Sequence, residues 1–281
     1  MLLSKKSEYK TLSKVDHPKY IVFCDFDETY FPHTIDEQKQ RDIYELEDYL
    51  EQKSKDGELL IGWVTGSSIE SILDKMGRGK FRYFPHFIAS DLGTEITYFS
   101  EHNFGQQDNE WNSRINEEFS KEKIEILVKQ LHENHNILLN PQTQLGKSRY
   151  KHNFYYQEQD EINDKKNLLA IEKICEEYGV SVNINRCNPL AGDPEDSYDV
   201  DFIPMGTGKN EIVKFMLEKY NLNTEKAIAF GDSGNDVRML QAVGNGYLLK
   251  NATQEAKNLH QLITDSEYSK GITNTLKKLI G

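Results

Sequence analysis

Short apolar runs recur along this 281-residue chain, and longer amphipathic stretches separate them. YIVFCDF from Tyr20, ELLIGWVTGSS from Glu58, HFIASDLGTEI from His86, KAIAFGDSGND from Lys226 and GYLLKNAT from Gly246 read as strands running into turns. Such runs, apolar on both faces, suit strands buried in a parallel sheet. Between them, DEQKQRDIYELEDYLEQKSKDG reads as a helix stopped by Gly57. SIESILDKM places Ile69, Ile72, Leu73 and Met76 at helical spacing. KNEIVKFMLEKYNL and DVRMLQAV read as two further helices. Parallel neighbours need a crossover, and a helix supplies it. The order therefore predicts an α/β fold: a Rossmann-like, doubly wound parallel sheet with helices on both faces.

The middle of the chain differs. From about Thr94 to Phe202 it is more polar. KEKIEILVKQLHENH and EINDKKNLLAIEKICEEYG read as helices, and RYKHNFYYQ and VSVNINRC as strands. This predicts an inserted α+β module over 94–202, with 1–93 and 203–281 forming the core. The charge-rich stretches are most simply solvated helix faces.

Net charge is −12, with 46 acidic against 34 basic residues. That balance argues against nucleic acid or an anionic membrane as the main partner. A small anionic substrate stays open, because local charge in a site can oppose the global sign. Cys24, Cys175 and Cys187 follow no metal-ligand spacing, and an odd count points to free thiols in a reducing cytoplasm. MLLSKKSEYK lacks the apolar core of a signal peptide, and no apolar run reaches the ~20 residues that span a bilayer.

In doubly wound sheets ligands bind beyond the carboxyl ends of the strands. Three predicted strand ends carry Asp25, Thr65 and Asp232. The first carries Asp27 and Glu28 as well, and carboxylates this close repel unless something compensates them. Four motifs fall in order: DFDET, VTGSS, GTGKNE and GDSGND. Each has a plain alternative as a capping loop or turn, and GTGK lacks the spacing of a phosphate-binding P-loop. Four together, at strand ends, are hard to explain as accidents.

In this order the motifs resemble those of the haloacid dehalogenase superfamily of phosphatases. The likeness covers roughly 19–93 and 203–281. SDLGTEI, KHNFYY and DVDFIPMGTGK are similar to its sucrose-phosphate phosphatase and Cof-like branch, and the chain at large to aminosugar phosphate phosphatases. The resemblance implies that Asp25 is the nucleophile, forming an aspartyl-phosphate, and that Asp27 is general acid and then base. It implies Mg²⁺ held by the Asp25 carboxylate, the Asp27 carbonyl and Asp232. Thr65, Gly66, Lys209 and Asn235 would hold the phosphoryl group, with Asp236 behind them orienting metal-bound water. Glu28 is expected to point elsewhere, as a solvent-facing acid.

The long insert lies between Thr65 and Lys209, which in this superfamily marks a cap of the second type, one that selects substrate. Mutases usually carry theirs between the first two motifs. Along SRYKHNFYY, Arg149, Lys151, Asn153 and Tyr155 share one face, and Tyr150, His152, Phe154 and Tyr156 the other, core-facing one. Lys151 and Asn153 are therefore candidates for the sugar, against the plain reading of a solvated sheet face. The expected substrate is a hexose 6-phosphate, 3-amino-3-deoxyglucose 6-phosphate in particular. Its ammonium needs an acid, and Glu95, Asp193, Glu195, Asp196 and Asp199 are on offer. A general hexose or sucrose phosphatase, a mutase or phosphotransferase, and a non-catalytic sugar phosphate binder remain the alternatives.

Overall fold

The computed structural model describes residues 6–115, 118–143, 148–187, 189 and 192–281. The chain divides into two compact units, Met1–Asn112 with Gly208–Gly281, and Ser113–Thr207. The first crossing thus lies later than the expected 93/94. The strands Glu95–Tyr98 and Gln106–Gln107 extend the first unit's sheet antiparallel instead of opening the insert. The second crossing also falls later than 202/203, because Ser197–Pro204 runs as one strand of the second unit's sheet.

The first unit is built on a seven-stranded sheet. Its parallel part runs Asn245–Leu248, Ala227–Gly231, Tyr20–Cys24, Leu59–Val64, Phe87–Ser90. Tyr20–Cys24 is central, and Ile21, Val22, Phe23 and Cys24 are all fully buried. Helix Glu37–Lys55 starts at Asp36, whose side chain accepts the Lys39 N–H. Helix Ile69–Arg78 buries Ile69, Ile72, Leu73 and Met76, the four its spacing marks. Helix Lys209–Lys219 follows Gly208. The hairpin after Phe87–Ser90 turns through Asp91, Leu92 and Gly93, all at positive φ. A side chain on Gly93 would meet Gly208 O at 3.0 Å and Ile212 Cγ1 at 2.7 Å.

The second unit is a four-stranded antiparallel sheet, ordered Val180–Arg186, Ser197–Pro204, His152–Gln157, Leu139–Pro141. Helices Lys121–His135 and Glu161–Glu177 cover it. Ile124, Leu127, Leu131, Ile171 and Ile174 pack with Tyr156, Val200 and Phe202 of the sheet. Among the described residues no helix is long and apolar enough to cross a membrane. Cys24, Cys175 and Cys187 are buried free thiols.

One buried group in the first unit sets a pH response. His86 Nδ1 accepts the Ile61 N–H at 3.1 Å, and Nε2 lies 3.0 Å from Ser13 O, so the neutral ring donates there. Burial lowers its pKa to about 4, against the ordinary 6.5. Below pH 6.5 the unfolded chain gains a proton that the native ring refuses, so stability falls from pH 6.5 to about 4 and then levels. The loss is on the order of 3 kcal/mol. Urea melts of His86→Gln should be less stable at pH 7 yet flatter across that window. An unchanged acid slope would reject His86 as its source.

Candidate active site

Three strand ends meet at the middle of the first unit's sheet. Tyr20–Cys24 delivers Asp25, Leu59–Val64 delivers Thr65, and Ala227–Gly231 delivers Asp232. Asp25 N–H donates to Phe230 O at 2.9 Å and Thr65 N–H to Ala89 O at 2.9 Å, so both residues are still tied to neighbouring strands.

Lys209 stands at the centre, 5% exposed. Its ammonium donates to Asp25 Oδ1 at 2.7 Å, Asp236 Oδ1 at 2.6 Å and Asn235 Oδ1 at 3.3 Å. Burial works against its charge, but Asp236 and Asp25 outweigh it and hold the lysine protonated. Among the described residues one ammonium faces three carboxylates, since Asp25, Asp232 and Asp236 offer oxygens within 4.8 Å of one another. Burial raises Asp25 to about 7; Lys209 opposes the rise and Asp236 adds to it. Burial and then Asp236 raise Asp232 well above the ordinary carboxylate range. The cluster is short of positive charge.

The carboxylates are not equivalent. Asp236 is committed on both sides: Oδ1 takes Lys209, and Oδ2 accepts the backbone N–H groups of Asp232 and Ser233 at 3.0 and 3.1 Å. Asp25 and Asp232 each have one engaged oxygen, with Lys209 and with the Thr29 hydroxyl at 2.9 Å. Among the described residues their Oδ2 atoms have no hydrogen-bond partner. Two open carboxylate oxygens beside a buried excess of acid fit a hard divalent cation. Gly231 makes the arrangement possible, because a Cβ there would lie 2.4 Å from Asp236 Cβ.

Thr65 is buried, and its hydroxyl accepts the Ser67 N–H at 3.1 Å, leaving its proton for another acceptor. Gly66 follows in the same turn, and Leu92 N–H donates to Thr65 O at 2.9 Å. Asn235 uses its carbonyl on Lys209 and on the Ser233 hydroxyl. Asp27 turns to Ser67 and Lys75.

Glu28 departs from expectation. It points away from Asp27, yet it is a bonded acid and not a free solvent-facing one. Its carboxylate accepts the His33 N–H at 2.8 Å and the Tyr268 hydroxyl at 2.9 Å, while Asn251 donates to its backbone oxygen at 2.7 Å. With φ at 54° it forms the bend that carries Asp27 and Thr29 to either side. Thr29, Ser67, Lys75, Asn251 and Tyr268 are site neighbours that motif reading passes over. Only Thr29, inside DFDET, and Ser67, inside VTGSS, lie near enough in sequence to have been noticed.

In the second unit, Asn153 and Tyr155 share a sheet face with Asp201 and Asp199, their register partners. Asn153 donates to Asp201 Oδ1, the Tyr155 hydroxyl to Asp193 at 2.9 Å, and Gln142 to Asp199 at 2.7 Å. Burial and then Asp201 raise Asp199 to about 6. Burial also raises Asp201, against which the Lys151 charge works. Asp201 was absent from the expected acids, although DVDF places it two residues from Asp199 and so on the same face. Glu195 and Asp196 are exposed, and Glu95 lies in the first unit's sheet. His152 is half-buried against Phe119.

The sucrose-6F-phosphate phosphohydrolase family model matches residues 18–278. A relative named kanosamine-6-phosphate phosphatase, from Bacillus subtilis (strain 168), is 95% identical over 281 residues, covering 100% of both chains. The crystal structure of a haloacid dehalogenase-like hydrolase from Bacillus subtilis superposes with a TM-score of 0.81 at 93% identity, over 100% of this chain and 99% of that one. The sucrose-phosphatase of Synechocystis sp. PCC6803, solved with sucrose and phosphate, shares the fold at a TM-score of 0.71 and 17% identity, over 93% of this chain and 98% of that one. With its strand-end carboxylates around a buried lysine, the chain belongs to the sucrose-6F-phosphate phosphohydrolase family of haloacid dehalogenase-like phosphatases.

Proposed function

We propose that the chain hydrolyses kanosamine 6-phosphate, the 3-amino-3-deoxy analogue of glucose 6-phosphate, to free sugar and phosphate with Mg²⁺ as cofactor. Lys209 carries the chemical part of this reading: a buried ammonium bonded to both Asp25 and Asp236 leaves Asp25 a positioned, charge-balanced nucleophile. Likeness along the whole chain to the kanosamine-6-phosphate phosphatase of Bacillus subtilis carries the choice of sugar.

An Asp25 oxygen attacks phosphorus and forms an O–P bond. The P–O bond to the sugar breaks, its electron pair stays on the sugar oxygen, and that oxygen takes the proton of the Asp27 carboxyl. Water then attacks phosphorus and gives a proton to Asp27 as the Asp25–phosphorus bond breaks, which releases inorganic phosphate. Lys209, the Thr65 hydroxyl, the Gly66 N–H and Asn235 surround the phosphoryl oxygens, where charge develops. Asp25, the Asp27 carbonyl and Asp232 would hold Mg²⁺, which would supply the positive charge that the acid cluster lacks. Asp236 holds Lys209 and the Asp232–Ser233 backbone in place. Gly231→Ala should push Asp236 aside and lower kcat by at least about 10²-fold, as misplacement of ~1 Å does elsewhere. Unchanged kcat would separate Asp236 from catalysis.

The sugar reading draws on the second unit's sheet face, where Lys151 and Asn153 are candidates for ring hydroxyls. Asp193, Asp199 and Asp201 offer carboxylates to an ammonium. A site built around such a bond rejects an analogue that lacks it. We expect kcat/KM for kanosamine 6-phosphate to exceed that for glucose 6-phosphate by at least ~10²-fold, about 2.7 kcal/mol. Asp199→Asn should shrink that ratio while sparing glucose 6-phosphate. Equal efficiency on both sugars would make a general hexose phosphatase the better reading.

A further inference from the structure

Asp27, the acid in this reading, is gripped from one side. Its Oδ2 accepts the Ser67 hydroxyl at 2.7 Å, and its Oδ1 lies 2.6 Å from the Lys75 ammonium. The same ammonium donates to Ser67 Oγ at 2.9 Å, which closes a three-membered ring of contacts. Oδ1 is buried and accepts no hydrogen bond in good geometry among the described residues, so the ion pair with Lys75 is its stabilising contact. Lys75 itself is largely covered, its side chain 14% exposed. A lysine in the last turn of a helix is ordinarily a solvated cation that complements the helix dipole. This one is instead turned inward onto a carboxylate. Packing gives no reason for that, since Ile69, Ile72, Leu73 and Met76 bury the helix.

A lone aspartate carboxyl has a broad χ2 and several χ1 wells. Two simultaneous contacts, one on each oxygen, select a single orientation. We infer that Lys75, acting with Ser67, is a positioning residue that fixes the Asp27 carboxyl for proton delivery to the leaving sugar oxygen. The inference rests on the reading of Asp27 as general acid. It concerns the orientation of the carboxyl and assigns Lys75 no proton of its own to transfer.

The test is the leaving group. A sugar alkoxide needs a proton as the P–O bond breaks, whereas p-nitrophenolate departs without one. In single-turnover experiments Lys75→Met should slow sugar release from glucose 6-phosphate by at least about 10-fold, part of the 10²–10⁴ that general acids supply. The p-nitrophenol burst from p-nitrophenyl phosphate should stay within about two-fold of wild type. Lys75→Arg should recover most of the loss. In an Asp27→Asn background, Lys75→Met should cost nothing further, since coupled residues fail to add. Calorimetric Mg²⁺ affinity should be unchanged. Equal slowing on both substrates, or full additivity with Asp27→Asn, would overturn the inference. If Lys75→Met does not fold, Ser67→Ala tests the same ring by the same substrate pair. Full sugar phosphate turnover by Asp27→Asn would instead remove Asp27 as the acid, a failure distinct from that of Lys75.

Discussion

Changing Asp25 to asparagine should leave a folded protein that releases no measurable phosphate. The amide nitrogen and carbonyl cannot replace a carboxylate attacking phosphorus, and loss of a nucleophile costs at least about 10⁴-fold in kcat where it has been measured. The fold should survive because the substitution keeps the volume and Lys209 keeps its contact with Asp236 at 2.6 Å. Removing one partner of a buried ion pair is usually costly. Here, among the described residues, one lysine faces three carboxylates, so neutralising one also relieves repulsion. The metal-free variant should therefore melt no lower than metal-free wild type. Phosphate release near the wild-type rate would reject the covalent route. A large drop in melting temperature would mean that the Asp25–Lys209 pair is structural first.

Removing divalent metal should silence the enzyme, and Mg²⁺ should restore it. The acid cluster predicts a pH signature as well. Burial pushes Asp25 up to about 7 and raises Asp232 as well, so as pH drops protons compete with a divalent ion for these oxygens. Affinity should fall as pH drops below about 7, by up to tenfold per unit for one displaced proton. Calorimetry in buffers of different ionisation enthalpy would count the protons released. Ca²⁺ should bind but support little turnover, because its looser, higher coordination lets both oxygens of Asp25 engage the ion. Full activity in excess chelator, with an empty site by metal analysis, would reject the assignment of Asp232.

The parallel sheet and its strand-end residues were legible because their signal is short-range. Tyr20–Cys24 is buried on both faces and reads as one apolar run, and Asp25 follows directly. The helix Ile69–Arg78 was equally plain, since its four buried positions keep the period. The unit boundary was not. Glu95–Tyr98 and Gln106–Gln107 are short and polar, and only their pairing with Phe87–Ser90 and with each other makes them core strands. Long-range contacts hid as well. Glu28 looked free because Tyr268 lies 240 residues away, and no local rule links the two. Lys75 drew no notice, because its spacing from Asp27 follows no helical or strand period. Asp201 was readable from the alternation in DVDF and was missed.

The central position of Tyr20–Cys24 also bears on synthesis. One of its two partners, Leu59–Val64, is made soon after it, but Ala227–Gly231 comes some 200 residues later. At ribosomal speeds of about 5–20 residues per second, one edge of this central apolar strand waits roughly 10–40 s for its neighbour. Such an open edge is a template for pairing with other chains. During that interval Asp25 and Asp27 sit at the strand end without Lys209. Their charge, a burden on the finished site, then marks the unpaired strand with two negative groups that discourage a second copy from docking in register. Acids placed at this strand end would act first as gatekeepers of the nascent chain.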